Sequence, residues 1–388
     1  MRALKKSLKI LLIIFCIVIA GLVALFVYFT LTDFQPVPSE HIAVMNNSPD
    51  AVIDSRDITF ITWNVGYCGL DESMDFFYDG GKMVRPDKAT FQNNLNGVFD
   101  FLSKNDSMDF FLLQEVDTAS KRSYYMNQAA LFSKALPDYT FSFAVNYNVK
   151  HVPAPMLKPL GKVVSGISTF SRYYPLSSER FSYPVNYSWP LKIFMLDRCF
   201  MIQRFLLSNH KELIVINTHN SAFDDADRLR QYEMWMLRGF ILNEYAKGNF
   251  VIAGGDWNQN PYNYNSFRFA SGYVKKSGLP KIPFNFMPDG WQWACDSTCP
   301  TNRDLRSAYK HGSTPTTIYD FFVVSPNIIV ETIKTLDYGF EFSDHQPVYL
   351  RIRLNDDPLA GCSKKTLDYI YSLNDSIVFY KEQNERKK

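Results

Sequence analysis

The chain has 388 residues, enough for one large domain or two ordinary ones, and 46% of them are hydrophobic, so a sizeable core is available. With 16% aromatic residues it falls outside the disordered class over most of its length. Of 41 basic and 39 acidic residues, the first 33 positions hold four basic (Arg2, Lys5, Lys6, Lys9) and one acidic (Asp33), which leaves 37 basic against 38 acidic. So even a balance argues against electrostatic capture of long nucleic acid, and no stable nucleic-acid complex is expected.

Residues 1–9 are basic, and residues 10–32 carry no charge at all. At about 1.5 Å per residue a helix of that length spans roughly the 30 Å of a bilayer core. A cleaved signal peptide is the alternative, but its apolar region is usually shorter, and no A-x-A site follows here. We expect an uncleaved transmembrane helix with residues 1–9 cytoplasmic and everything after residue 33 extracytoplasmic, because the basic flank stays inside. A polar linker follows over 33–56.

From residue 57 to 356 short apolar runs alternate with helical stretches, which predicts one mixed α/β domain. Strands are expected at 57–65, 108–116, 162–173, 199–208, 212–220, 249–256, 318–326 and 345–354. Helices are expected at 89–105 and 225–248, the second with Leu229, Tyr232, Met236, Phe240 and Ile241 on its inner face and Gly248 as its stop. The stretch 260–317 is Pro- and aromatic-rich, weakly periodic, and reads as a loop-rich insertion. The tail 357–388 is polar and peripheral.

Several apolar strands end in polar residues that a plain core would not choose: Asn64, Glu115, His219, the Asp256–Trp257–Asn258 step, Asp320 at a strand start, and Asp344–His345. Each alone reads more readily as a turn or a satisfied polar side chain. Together they are the inventory of a metal-assisted hydrolytic site. Hydrolysis of a phosphate ester needs a hard cation such as Mg²⁺, bound by carboxylate oxygen, with Mn²⁺ as the alternative. It also needs a base for water and donors for the charge that grows on phosphoryl oxygens. In "GGDWN" the Gly pair would relax the backbone at the strand exit. If that exit is extended, Asp256 and Asn258 point the same way and Trp257 turns aside to pack.

The stretches "TWN", "LLQEVD", "SRYYP", "NTH", "GGDWN", "YDFFVVSPN" and "SDHQPV" occur in an order that resembles the endonuclease/exonuclease/phosphatase superfamily, from about Asp57 to Leu354. The resemblance implies a four-layer α/β sandwich with two packed central sheets and one site between their loop ends. It implies Glu115 as the main Mg²⁺ ligand, helped by Asn64 and Asp344, and Asp256 as the group that orients or deprotonates the attacking water. Asn258 and His219 would hold phosphoryl oxygens, and His345 would face the phosphate, oriented by Asp320. Asn220 after His219, where Leu is common, and Trp257, where Phe is common, depart from the pattern.

Arg172 and Arg303 are further candidates for substrate contact. Arg198 could approach a phosphate, but pairing with Asp197 or a strand neighbour is the favoured reading. "DGGK" (79–82) lacks phosphate-loop spacing, and "WQW" (291–293) reads as packing beneath a loop. Cys295 and Cys299 could close a small disulfide loop, whereas zinc would need more ligands than His311 supplies. The function expected is a membrane-anchored, metal-dependent phosphoesterase acting on a lipid head group or small molecule. The alternatives are a nuclease and a non-catalytic binding protein on the same scaffold.

Overall fold

The structure, a computed structural model, describes residues 2–46, 50–183, 187–222, 228–262, 264 and 281–355. The expected tail 357–388, with Cys362, lies outside the described residues, as do the first residues of the expected 225–248 helix and positions 265–280 of the expected insertion.

The elements run, in chain order, α1 (Arg2–Leu31), β1 (Ser39–His41), β2 (Val52–Ile53), β3 (Asp57–Asn64), α2 (Lys88–Lys104), β4 (Phe110–Asp117), α3 (Gln128–Ala135), β5 (Thr140–Val152), β6 (Gly161–Ser171), β7 (Ser177–Ser182), β8 (Cys199–Leu207), β9 (Glu212–His219), α4 (Arg228–Ala246), β10 (Phe250–Asp256), β11 (Gln292–Ala294), β12 (Asn302–Arg303), β13 (Thr316–Thr317), β14 (Asp320–Val324), β15 (Ile328–Thr335) and β16 (Val348–Leu354). One sheet has the order β15-β16-β3-β4-β6-β5; the other has β1-β7-β8-β9-β10-β14-β11, with β2 beside β8.

Alternation along the strands sorts their side chains into layers. Ile58, Phe60, Phe110, Leu112, Leu350 and Ile352 face Phe205, Val215, Phe250, Ile252 and Phe322 in the core between the sheets. The other face of the first sheet, with Ile61, Trp63, Phe111 and Leu113, packs on Phe91, Leu95 and Phe101 of α2 and Phe132 of α3. The other face of the second, with Ile214, Ile216, Val251 and Ala253, packs on Leu237, Ile241 and Tyr245 of α4. The result is helices, sheet, sheet, helix: the expected four-layer α/β sandwich. Each fully buried Phe or Leu in these layers contributes roughly 1.5–3 kcal/mol. Asp87 starts α2 by accepting the Thr90 amide at 2.8 Å, and Asn127 starts α3 the same way through Ala130 at 3.0 Å.

On α4 the expected Leu229 and Ile241 are buried and Met236 and Phe240 pack partly buried on the core, beside Met234, Leu237, Leu242 and Tyr245, while Tyr232 is exposed. The expectation placed Tyr232 by spacing alone, and its polar hydroxyl tolerates water. The Gly pair also differs. Gly254 and Gly255 lie within β10 and make room. A Cβ on Gly254 would stand 2.4 Å from the Phe322 ring, and one on Gly255 (φ +146°) would stand 2.0 Å from the Thr218 carbonyl oxygen. Cys295 and Cys299 are both free thiols. Cys295 packs toward the α4 core, while Cys299 Sγ lies 3.8 Å from Gln346 Nε2, so the two do not meet.

Candidate active site

Strand direction brings the polar endings together. β3 and β4 are parallel, and so are β9 and β10, so Asn64, Glu115, His219 and Asp256 emerge at the same end. β14 and β16 run antiparallel to β10 and β3, so their starts, with Asp320 and the 343–346 segment, lie there too. Register tightens this further: Asp256 is paired with His219 on one side and with Asp320 on the other. Neighbouring strands lie about 4.8 Å apart, which fixes three titratable side chains in one row.

The Asp256 carboxylate is the hub. Its Oδ2 accepts from Asn64 Nδ2 at 2.9 Å, a contact that joins the two sheets, and its Oδ1 accepts the Asn258 amide at 2.9 Å. His219 Nε2 lies 3.4 Å from Oδ2 and His345 Nε2 lies 3.7 Å from it. His345 Nδ1 is 2.7 Å from Asp320 Oδ2. Ser343 Oγ donates to the Asn64 carbonyl at 2.8 Å and Trp63 Nε1 to the His345 carbonyl at 2.9 Å, which ties the Asp344–His345 step to the end of β3.

Backbone conformation aims the rest. Glu115 sits at φ +54°, inside an irregularity of the β4–β6 ladder between Leu113 and Val116, which turns its side chain out of the alternation. Asn258 sits at φ +50°, so the chain turns at the exit of β10 and does not stay extended. Asn258 Nδ2 donates to the Asn220 carbonyl at 2.8 Å, and Trp257 does turn inward, stacked on Phe321. Gly66 (φ +50°) lets Asp344 close in, since a Cβ there would stand 2.9 Å from Asp344 Oδ1.

The electrostatics divide the histidines. Burial pushes His345 down, but Asp320, Asp256 and Asp344 outweigh it and hold the imidazole cationic well above its usual range. His219 is pushed well below its usual value by burial and by the charges of Arg198, His345 and Arg122, so it is neutral. Its Nδ1 has no hydrogen-bond partner among the described residues. Burial raises Asp344 to about 6, against the pull of His345 and with the help of Glu115. Thus Asp256, Asp320 and Asp344 converge on one cationic imidazole, while Glu115 lies 3.9 Å from the neutral His219. A carboxyl raised first by burial and further by a neighbouring carboxylate is what an oxygen-lined site for a hard divalent cation shows without its charge. The donor set therefore fits Mg²⁺ or Mn²⁺. Asp256, Asp320 and His345 also each offer a ligand atom within 4.8 Å of one another. The 2.7 Å contact to Asp320 engages His345 Nδ1.

Asn64 stands between the acids, with Nδ2 toward Glu115 (3.3 Å) and Asp256, and its Oδ1 accepts the Gly66 amide. Two expected residues are placed differently. Arg303 is buried and its guanidinium donates to the carbonyls of Leu70, Asp71 and Met74, so it clamps the loop after β3 instead of facing substrate. Arg172 lies at the other end of the sheet: Ser171 pairs with Phe110 at the start of β4, and the Arg172 amide donates to the Asp109 carbonyl. Five residues of strand, roughly 17 Å, separate that level from Glu115.

Sequence reasoning missed Asn302, whose carboxamide lies 2.9 Å from His345 Nε2, and the Arg122 assembly. Arg122 makes a two-point contact with buried Asp117 (3.1 and 3.0 Å) and lies over the Tyr67 ring at 3.7 Å. Arg198 does not pair with Asp197; its buried Nη1 has no hydrogen-bond partner among the described residues, and its charge reaches His219.

The model of the endonuclease/exonuclease/phosphatase family matches residues 61–345, most of the chain and every residue of the hub. The chain belongs to the endonuclease/exonuclease/phosphatase family. Members of this family are hydrolases of phosphoester bonds. Among solved structures, a family member from Beutenbergia cavernae aligns at 14% identity over 78% of this chain and 72% of its own, with a TM-score of 0.49. One from Bacteroides vulgatus aligns at 18% identity over 77% and 99%, with a TM-score of 0.48. ANGEL2, described as a 2',3'-cyclic phosphatase, aligns at 13% identity over 83% and 99%, with a TM-score of 0.49. No curated protein matches at the sequence level.

Proposed function

We propose that this endonuclease/exonuclease/phosphatase family member is a membrane-anchored, divalent-metal-dependent phosphoesterase acting on a lipid head group or another small phosphoester. The observation that carries the reading is the Asp256 carboxylate, held by two donors and flanked at 3.4 and 3.7 Å by one neutral and one cationic imidazole. An acceptor held so is placed to take the proton of a water whose oxygen attacks phosphorus. The N–H at His345 Nε2, kept by Asp320 behind the ring, donates to a phosphoryl oxygen as its charge grows, and the bond to the leaving oxygen breaks opposite the water. His219 and Asn258 border the same oxygens. Glu115 and Asp344 would hold Mg²⁺ or Mn²⁺, which when bound neutralises phosphoryl charge. Helix α1, from Leu4 to Leu31 long and apolar enough to cross a membrane, supports the anchor, with the domain extracytoplasmic. The near-neutral charge beyond residue 33 favours small esters over long nucleic acid.

The test is hydrolysis of a panel of phosphodiesters and phosphomonoesters by the full-length protein in detergent, with Mg²⁺, with Mn²⁺ and with EDTA. Metal-dependent turnover that Asp256→Ala and His345→Ala remove is the expected result. Turnover absent with both metals, or indifferent to both substitutions, overturns the reading.

A further inference from the structure

Helix α1 does not end clear of the domain. Trp189 Nε1 donates to Thr30 Oγ1 at 3.0 Å, and the Trp189 ring meets Phe26 edge-on at 6.2 Å. Phe29 packs on His151 at 6.5 Å and on Phe194 at 5.8 Å. These partners come from two places only, the β5–β6 hairpin and the β7–β8 connection. Both stand at the end of the sandwich that holds the site. Asp117 at the end of β4 pairs with Ser165, and the hairpin runs on to the Val152–Gly161 pair. That is four residues, roughly 13 Å, beyond β4. The β7–β8 connection leaves at Ser182–Cys199, one step from the Phe200–Thr218 pair and so at the level of His219.

The tips of these two segments are apolar and open. Met156 is 87% exposed and Leu157 92%, while Trp189 is 61% and Leu191 52%. Lys150 and Lys158 are exposed beside them. Large apolar side chains grouped on a surface mark a contact with something apolar, and Trp at the end of a span belongs at the head-group level. The span itself, 28 residues and about 42 Å, outruns the roughly 30 Å hydrocarbon core, so its last turns and their Trp189 contact fall in the interface. Lysines beside such tips suit anionic head groups.

We infer that the β5–β6 and β7–β8 tips are seated in the head-group layer beside the anchor, that the active site opens onto the membrane surface, and that its substrate is a phosphoester carried by a bilayer lipid. The lipid assignment rests on the phosphoesterase reading above; the seating rests on the helix contacts alone. Protein that works on soluble esters would gain nothing from apolar tips at its mouth, whereas a head group whose tails stay in the bilayer must be met where the tips are.

The experiment uses the full-length chain in liposomes of phosphatidylcholine and phosphatidylglycerol. An environment-sensitive fluorescent amino acid is placed at Leu157, or at exposed Asn209 in the β8–β9 turn at the opposite end. Nitroxide-labelled lipid should quench the first at least ~2-fold more than the second; equal quenching overturns the seating. In the same liposomes Met156→Glu/Leu157→Glu should lower hydrolysis of the lipid ~10-fold and leave hydrolysis of soluble bis-p-nitrophenyl phosphate unchanged. Equal loss on both substrates, or loss on neither, overturns the role of the tips. Wild-type turnover of the soluble ester without any of the lipids overturns the lipid assignment alone. No turnover of either overturns the phosphoesterase reading, and the quenching contrast still decides the seating.

Discussion

Asp256, His345 and Asp344 differ in what they do, and each gives a measurable outcome. Asp256→Asn keeps the shape and removes the proton acceptor, so kcat should fall by about 10²–10⁴-fold while the folded protein persists by circular dichroism. His345 is held cationic by Asp320, Asp256 and Asp344, so its proton, and the activity that needs it, are lost only as pH rises through a value well above the usual imidazole range. Asp320→Asn removes the nearest of these charges, and the alkaline limb of the kcat–pH profile should move to lower pH. Asp344 has the opposite bearing on stability. Its folded pKa of about 6 stands above the ordinary 3.8, so its contribution is fully present below 3.8 and is lost as pH rises through about 6. A divalent cation reverses that loss. Mg²⁺ or Mn²⁺ should therefore raise Tm by several degrees at about pH 7.5 and by little at about pH 4.5, and Asp344→Asn should flatten the difference. The residues behind these outcomes were legible because polar side chains at the ends of apolar runs contradict a plain core. Asn302, Arg122 and Tyr67 were not, since they lie in stretches without strand or helix period, and Asn302 and Tyr67 meet partners far along the chain.

Among elements, the strands nearest the site were the most readable. β4, β9 and β10 carry continuous apolar runs, as strands buried on both faces must, and β3 alternates along its first residues. β5 was not singled out: it is the longest strand, yet its ladder with β6 shifts register between Val145 and Tyr147 and again between Val149 and Val152, which breaks the simple alternation. β15 escaped as an edge strand with mostly exposed side chains and a shift beside Val330. The Gly pair of β10 was noticed for the wrong reason, since its value is closeness and not bending. Gly255→Ala would press a methyl on the Thr218 carbonyl and should cost about 2–4 kcal/mol in urea denaturation, with the Asp256–His219 row disturbed as well. The Arg122–Asp117 pair that supports the loop after β3 is nearly closed to solvent. Arg122→Met leaves Asp117 buried without its partner and should destabilise the fold by about 3–5 kcal/mol by the same measurement.

For the whole molecule, the two-sheet sandwich puts every polar strand ending at one end because the parallel pairs β3–β4 and β9–β10 share a direction and the antiparallel β14 and β16 begin where those finish. That end is also where α1 meets the domain. An uncleaved anchor should leave the intact chain, Met1 or its processed neighbour included, in the membrane fraction after carbonate extraction. Intact-mass measurement checks this, and a mature chain beginning near residue 33 in the soluble fraction would identify α1 as a signal sequence instead.

Glu115 carries a last consequence. It is a bulky acidic residue in left-handed backbone at φ +54°, a conformation that Asn adopts with less strain, and its charge raises the carboxyl beside it. Selection for foldedness alone would therefore have replaced it. Glu115→Asn should yield a protein that survives heating better and turns over nothing, so a screen that rewards only thermal endurance would steer this lineage toward an inert shell.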